Sequence, residues 1–323
     1  MKKAFVILCL ALLVIPAAGL VMKGAELADG KRDASVTENV LLRNGMVSAH
    51  TALYALAGQS TSDQVVLGKD GYLYLAETLP ATVGAEKTSD EEIERIAGYL
   101  KELSDEMASR GSRLIFLCAP NKATILPEHL PWNALPAGGE SALDRLQRRL
   151  GELGVAYIDA KAILSESKAY FRTDTHWNDE GALQVYRALR AETGMDAWDD
   201  YSDLVFKEAE RIGDLTELLV PEGGTPETVR EAQPERRFRT TGIMRTAMDQ
   251  RILTTCPGGE GKLIMIRDSF ANNLFPYLAN NAASMRIYRA ASFDGKMWED
   301  GTDVVILEIA ERNLSDIGRE TAP

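Results

Sequence analysis

Two kinds of apolar pattern alternate along this chain. Ile93, Ile96, Leu100, Leu103 and Met107 follow one another at spacings of 3, 4, 3 and 4, which places them on one face of an α-helix. Ser89-Asp-Glu-Glu92 precedes them with the form of a capping box, and Gly111 is placed to end the helix. Elsewhere the apolar residues gather in short segments at 113–118, 155–158, 263–266, 285–288 and 304–307, unbroken but for Arg113 and Arg286. Such runs predict strands buried on both faces, as in a parallel sheet. Helical patterns fall between them at 142–150, 160–167 and 179–192. In the last of these, Asn178 is the expected cap, Ala182, Val185 and Leu189 face inward, and Gly194 closes. Strands alternating with helices predict an α/β fold, a three-layer sandwich around a mostly parallel sheet.

The remaining segments are less regular. Residues 1–23 open with Met1-Lys-Lys, run apolar from Ala4 to Met22 without a charge, and close at Lys23. That reads either as a cleaved signal peptide or as an N-terminal membrane anchor, and both place the rest outside the cytoplasm. Residues 24–63 read as a stalk with a short helix around Leu53 to Leu56. The domain proper is expected over 64–323. It begins with two strand-like runs around Gly68-Lys-Asp-Gly71, a hairpin signal. Residues 199–251 are charged, contain Pro and Gly, and read as an irregular insertion at the sheet edge that shapes a substrate groove.

The chain has 323 residues, 45% of them hydrophobic, enough for one large α/β domain. Its net charge of −12 argues against a nucleic-acid partner, which would require basic patches. Three cysteines do not make a disulfide framework. Cys9 lies in the leader, Cys118 ends an apolar run as a core thiol, and a bridge from Cys118 to Cys256 is left open.

Candidate chemistry collects at strand ends. Lys262-Leu-Ile-Met-Ile-Arg-Asp-Ser-Phe-Ala-Asn-Asn273 passes from a buried strand into a helical pattern with a serine at the turn. Ser269 there is placed to be a nucleophile, with helical N–H groups beside it for an oxyanion. Capping by Asp268 or Ser269 explains the same residues. The pairing with Phe171-Arg-Thr-Asp-Thr-His-Trp-Asn178 favours catalysis. Of the three histidines, only His176 has a carboxylate two positions away, Asp174. In an extended chain, positions i and i+2 point the same way, so Asp174 can orient the His176 base. Asp-x-His is also half of a metal site, but no second histidine cluster or cysteine pair completes one. Capping of a turn is the other plain reading of Asp174.

Asn121 follows the first core strand, at the edge where open α/β sheets put ligands. It is a candidate oxyanion donor or a turn-capping residue. Asn272, Trp177 and Arg289 are further candidates for oxyanion or substrate contact. Trp177 either walls the site or anchors its loop, and Arg289 either meets an anionic sugar or joins a surface salt bridge.

TDTHWNDEGA and IRDSFANNLFPYL together resemble the SGNH-hydrolase-like family of AlgX/AlgJ-type alginate O-acetyltransferases and the related DHHW proteins. Val66-Leu-Gly-Lys-Asp-Gly-Tyr-Leu-Tyr74, Ala119-Pro-Asn-Lys-Ala-Thr-Ile-Leu-Pro-Glu128 and Asp303-Val-Val-Ile-Leu-Glu-Ile-Ala-Glu-Arg-Asn-Leu314 match in the same order. The resemblance implies an SGNH-like fold, circularly permuted because the histidine precedes the serine. It implies a triad of Ser269, His176 and Asp174 and acetyl transfer onto an exopolysaccharide or cell-envelope glycan. It also implies a membrane-bound O-acyltransferase as acetyl supplier and no metal or bound cofactor. AlgX-type enzymes carry an additional carbohydrate-binding module, which is not expected before Pro323. An acetyl esterase using the same triad, and a non-catalytic glycan-binding component of an export complex, are the alternatives.

Overall fold

A computed structural model describes residues 50–51, 54, 59–165, 169–220, 224–241 and 250–319. The expected leader at 1–23 and most of the stalk lie outside these. No helix among the described residues is long and apolar enough to cross a membrane.

The chain divides into two compact units. The smaller takes the described residues up to Ala76 together with Arg172–Asp174 and Arg211–Glu227. Its strands β1 (Val65–Leu67) and β2 (Leu73–Leu75) pair antiparallel, as the hairpin signal predicts. Asp70 and Gly71 turn the chain with φ of 55° and 78°, a region favourable to glycine and tolerated by Asp. Val65 and Leu73 pack with Leu215 of the Asp214–Leu219 helix.

The larger unit is built on the seven-stranded sheet. Its strands are β3 (Arg113–Ala119), β4 (Tyr157–Ile158), β7 (Arg239–Thr240), β8 (Arg251–Thr255), β9 (Lys262–Arg267), β10 (Ser284–Arg289) and β11 (Val304–Ala310). Their order is β4-β3-β11-β9-β10-β8-β7. The first five neighbours pair in parallel, and β8 and β7 extend the sheet antiparallel. Strands β5 (Lys207–Arg211) and β6 (Glu227–Glu231) form a separate two-stranded sheet.

Burial follows the two-sided pattern of the apolar runs. Leu114, Phe116 and Cys118 of β3, Ile264 and Ile266 of β9, and Val305 and Leu307 of β11 pack under two helices. These are Asp90–Ser109, through Ile93, Ile96, Leu100, Leu103 and Met107, and Ala142–Leu153, through Leu143, Leu146 and Leu150. The alternate residues Ile115, Leu117, Leu263, Met265, Val304 and Ile306 are buried too, so the opposite face is covered as well. There the Ala160–Leu164 helix meets β3 and the Asp179–Thr193 helix meets β4. At about 25 cal/mol per Å², each large apolar side chain so buried contributes about 1.5–3 kcal/mol.

Several sequence expectations need correction. The Ser89 cap forms, with its hydroxyl accepting Glu92 N–H at 3.2 Å, but the Glu92 carboxylate turns to Arg95 rather than closing a capping box. The helix read over 142–150 continues to Leu153, and the strand read over 155–158 is formed only at Tyr157–Ile158. Residues 199–251 are not wholly irregular. They contain β5, β6, β7 and the Asp214–Leu219 helix and run into β8. Their strands are polar and lie at edges or outside the main sheet, so they lack the apolar runs that mark the core strands. Cys118 and Cys256 are both buried and free, so the bridge between them is not made.

Candidate active site

Because β3, β11 and β9 are parallel neighbours, their C-terminal ends emerge on one edge of the sheet. Three short turns leave from that edge, carrying Asn121, Glu311 and Ser269.

The turn after β9 is held by acidic residues. Arg267, which ends the strand, is fully buried. Its Nη1 donates to Asp268 O at 3.0 Å and to Asn272 Oδ1 at 2.8 Å. Asp268 Oδ1 accepts Phe270 N–H at 2.9 Å. Asp268 Oδ2 accepts Ala310 N–H at 2.7 Å and the Asn313 amide at 3.4 Å. The Asp268 N–H donates to Glu308 Oε2 at 3.0 Å. Burial, reinforced by the neighbouring Asp268 charge, holds the Glu308 carboxyl well above the usual carboxylate range.

With Asp268 occupying the first backbone donor, the Ser269 hydroxyl makes no capping bond to the 3₁₀ turn Phe270–Asn273. It meets His176 instead, with Oγ 2.9 Å from Nε2. For Nε2 to accept the serine proton, Nδ1 must carry the ring hydrogen. Thr175 Oγ1 lies 3.2 Å from that Nδ1.

The histidine loop is fixed by packing and backbone bonds. Tyr170 and Trp177 form an isolated antiparallel bridge, and Asn178 N–H donates to Ala169 O at 2.8 Å. The Tyr170 hydroxyl donates to Pro120 O, tying this loop to the β3 exit. Asn178 caps the following helix through Gly181 N–H at 2.9 Å, as its position predicts. A Cβ at Gly181 would come within 2.6 Å of Ala169 O, so glycine permits this close approach. Phe270, the residue after the serine, contacts the His176 ring at 4.8 Å and the Trp177 ring edge-on at 5.1 Å. The Arg312 guanidinium stands 5.5 Å from the same Phe270 ring and pairs with Glu77 at 3.2 Å.

Asp174 precedes His176 by two residues and is buried in the smaller unit. Its Oδ2 accepts Asp214 N–H at 3.3 Å and Arg211 Nη2 at 3.4 Å. In the same unit Glu227 accepts Arg172 N–H at 3.0 Å and Thr173 N–H at 2.8 Å. Gly213 lies so close that a Cβ there would stand 2.2 Å from Thr173 O.

The other sequence candidates divide. Asn121 heads the short Lys122–Ile125 helix, but its side chain makes no capping bond. It is buried, its Oδ1 has no partner among the described residues, and its N–H donates to Glu311 Oε2 at 2.8 Å. Trp177 is fully buried and anchors the loop, so it offers no wall to a ligand. Asn272 holds Arg267 through its Oδ1. Arg289 ends β10 in register with Arg267 and is half-buried.

From sequence Asp268 reads only as a possible cap, and Glu308 and Glu311 carry no expected role. Glu308 left a signal, since it is a lone carboxylate inside the apolar run Val304-Val-Ile-Leu-Glu-Ile-Ala310.

Comparison with known proteins bears on the family and the fold. The chain is similar to the probable alginate O-acetylase AlgJ of Pseudomonas syringae pv. tomato, 27% identical over 164 residues, which are 48% of this chain and 41% of the relative. It thus spans about two fifths of that relative's length. Among solved structures it resembles Bacillus cereus PatB1, with a TM-score of 0.61, 17% identity, and coverage of 77% of this chain and 96% of the other. It also resembles the O-acetyltransferase domain of Pseudomonas putida AlgJ, with a TM-score of 0.53, 21% identity, and coverage of 78% and 92%. At these identities the structural matches speak for the fold. The model of one family matches residues 65–254, more than half of the chain, and the protein accordingly belongs to the family described as the SGNH hydrolase-like domain of the acetyltransferase AlgX.

Proposed function

We propose that this protein is a serine-dependent O-acetyltransferase acting on a glycan. The observation that carries the reading is the Ser269 Oγ to His176 Nε2 contact of 2.9 Å, which is hydrogen-bond reach for a nucleophile and its base. The name of the relatives, probable alginate O-acetylase, supports the acyl group and a polysaccharide acceptor.

His176 Nε2 takes the Ser269 proton as Oγ attacks the carbonyl carbon of an acetyl donor. The tetrahedral oxyanion is held by the Ser269 N–H and by Asn121. The C–O bond to the donor breaks, and the donor oxygen leaves with the proton from His176. His176 then takes the proton of a sugar hydroxyl, whose oxygen attacks the acetyl-serine. Collapse releases the acetylated sugar and returns the proton to Ser269. Asp174 is the proposed orienting acid on the family resemblance alone, because residues 172–176 form a run of bends and not the extended chain that the i, i+2 reading assumed.

The leader pattern supports an exported protein, either anchored or released, and the family resemblance supports a membrane-bound O-acyltransferase as acetyl supplier. The test is incubation with a chromogenic acetyl ester and a panel of envelope oligosaccharides, alginate oligomers included. Mass spectrometry should show acetyl groups gained by an acceptor in a Ser269-dependent way. If pre-acetylated glycans instead lose acetyl groups and none is ever gained, the enzyme is an esterase.

A further inference from the structure

The exits of β9, β11 and β3 are cross-tied by two carboxylates. Asp268, next to the nucleophile, grips the β11 exit through Ala310 N–H at 2.7 Å and Asn313 at 3.4 Å. Glu311, the residue after Ala310, grips the β3 exit. Its Oε2 accepts both Asn121 N–H at 2.8 Å and the Thr124 hydroxyl at 2.6 Å. The serine turn and the Asn121 turn are two inter-strand steps apart, roughly 10 Å, with β11 between them. The chain Asp268, Ala310, Glu311, Asn121 spans that gap through hydrogen bonds and one peptide link.

Locally Asn121 is held only through its carbonyl, which accepts Thr124 N–H at 2.9 Å and Ile125 N–H at 3.3 Å. Its helix has only four residues, Lys122–Ile125, and its side chain makes no bond to that helix. An N-cap asparagine normally turns its carbonyl onto the backbone amides of its own helix. Here the Glu311 carboxylate takes the Asn121 main-chain N–H from outside and ties down Thr124 one turn on. The side chain is left buried, with Oδ1 unpartnered.

We propose that Glu311 is a positioning residue. It acts through Asn121, holding that turn where the asparagine amide meets the oxyanion formed at Ser269. The proposal rests on the serine acyl-transfer reading above. An oxyanion donor displaced by a fraction of an ångström loses much of its effect, because its worth lies in preorganisation.

The experiment is a double-mutant cycle on ester cleavage, with acyl-enzyme formation followed by intact-protein mass spectrometry. Glu311→Ala should lower kcat by roughly 10- to 100-fold with KM little changed, less than the roughly 10²- to 10³-fold lost with the oxyanion donor itself. Glu311→Gln keeps an acceptor oxygen and should retain more activity than the alanine variant. In an Asn121→Ala background, neither Glu311 substitution should cost more than a further twofold or so. A residue that merely supports the fold would reduce the rate in both backgrounds alike. Thermal denaturation checks that each variant is folded, and the Gln variant carries the cycle if the Ala variant does not fold.

The proposal is overturned if the Glu311 and Asn121 losses multiply, or if Glu311→Ala matches wild type. It also falls if Asn121→Ala is silent while Glu311→Ala is not. Failure of the acyl-transfer reading looks different, because wild type itself would then carry no acetyl group on Ser269.

Discussion

Among the polar residues that head a helical turn in this protein, two serines and two asparagines form two instructive pairs. Ser89 and Asn178 lie in the packing layers, where each side chain accepts a backbone N–H of its own helix, Glu92 at 3.2 Å and Gly181 at 2.9 Å. Ser269 and Asn121 lie at the C-terminal edge of the sheet, and neither side chain caps anything. The residue types are the same and the local positions are the same. What differs is the neighbour. Asp268 and Glu311 supply carboxylate acceptors for backbone amides at the edge, so a hydroxyl and an amide are left for other work. In the layers Ser89 and Asn178 serve their own helices.

The comparison breaks most easily at the serines. Ser269→Ala should abolish ester cleavage, by about five to six orders of magnitude on the scale of other serine triads, with thermal stability near wild type. Asp174→Asn should cost about 10⁴-fold, the loss seen when an orienting acid is made neutral. Ser89→Ala should do the reverse, lowering stability by about 1 kcal/mol and leaving kcat unchanged. Steady-state kinetics beside urea denaturation of the variants reads all these outcomes.

The asparagines repeat the contrast on a smaller scale. Asn121→Ala should lower kcat by roughly 10²- to 10³-fold, the usual worth of one oxyanion donor, with little change in unfolding midpoint. Asn178→Ala should lose about 1 kcal/mol of stability. Its histidine loop should still form, since Trp177 and Phe270 hold it independently.

A smaller effect sharpens the role of the buried carboxylates. Glu308 is fully buried, and its carboxyl titrates well above the usual range. The folded state therefore binds this proton more tightly than the unfolded chain does. The resulting stability is complete below the unfolded glutamate pKa of about 4.3 and is lost as pH rises through the raised folded value. Glu308→Gln is neutral at every pH, so its unfolding free energy should fall less than that of wild type between pH 5 and pH 8. Denaturant titrations at the two pH values measure the difference.

Much of this was legible in the sequence where a single segment held the signal. The 3, 4, 3, 4 spacing marks the Asp90–Ser109 helix, apolar runs mark β3, β9 and β11, and the Arg-interrupted Met285-Arg-Ile-Tyr288 marks β10. Ser269 and His176 could be paired because each lay in a distinctive turn. The polar strands β5, β6 and β7 were hidden because they do not alternate apolar and polar residues cleanly. Asp268 and Glu311 are not legible in the sequence beyond a possible cap, because their partners at Ala310 and Asn121 are 42 and 190 residues away. For the same reason local preference favoured Asn121 as a cap, and tertiary acceptors overrode it. Trp177 could be read as wall or anchor until its burial against Phe270 made it an anchor.

The central claim is that Ser269 is a freed nucleophile rather than a helix cap. Its most direct measurement is intact-protein mass spectrometry after rapid acid quench of the protein mixed with a chromogenic acetyl ester, followed by peptide mapping. The account predicts one acetyl group per chain, on Ser269, present in wild type, absent in Ser269→Ala, and discharged when a glycan acceptor is added. A wild-type protein that cleaves the ester without ever carrying an acetyl group, or that carries it on another residue, would contradict the account.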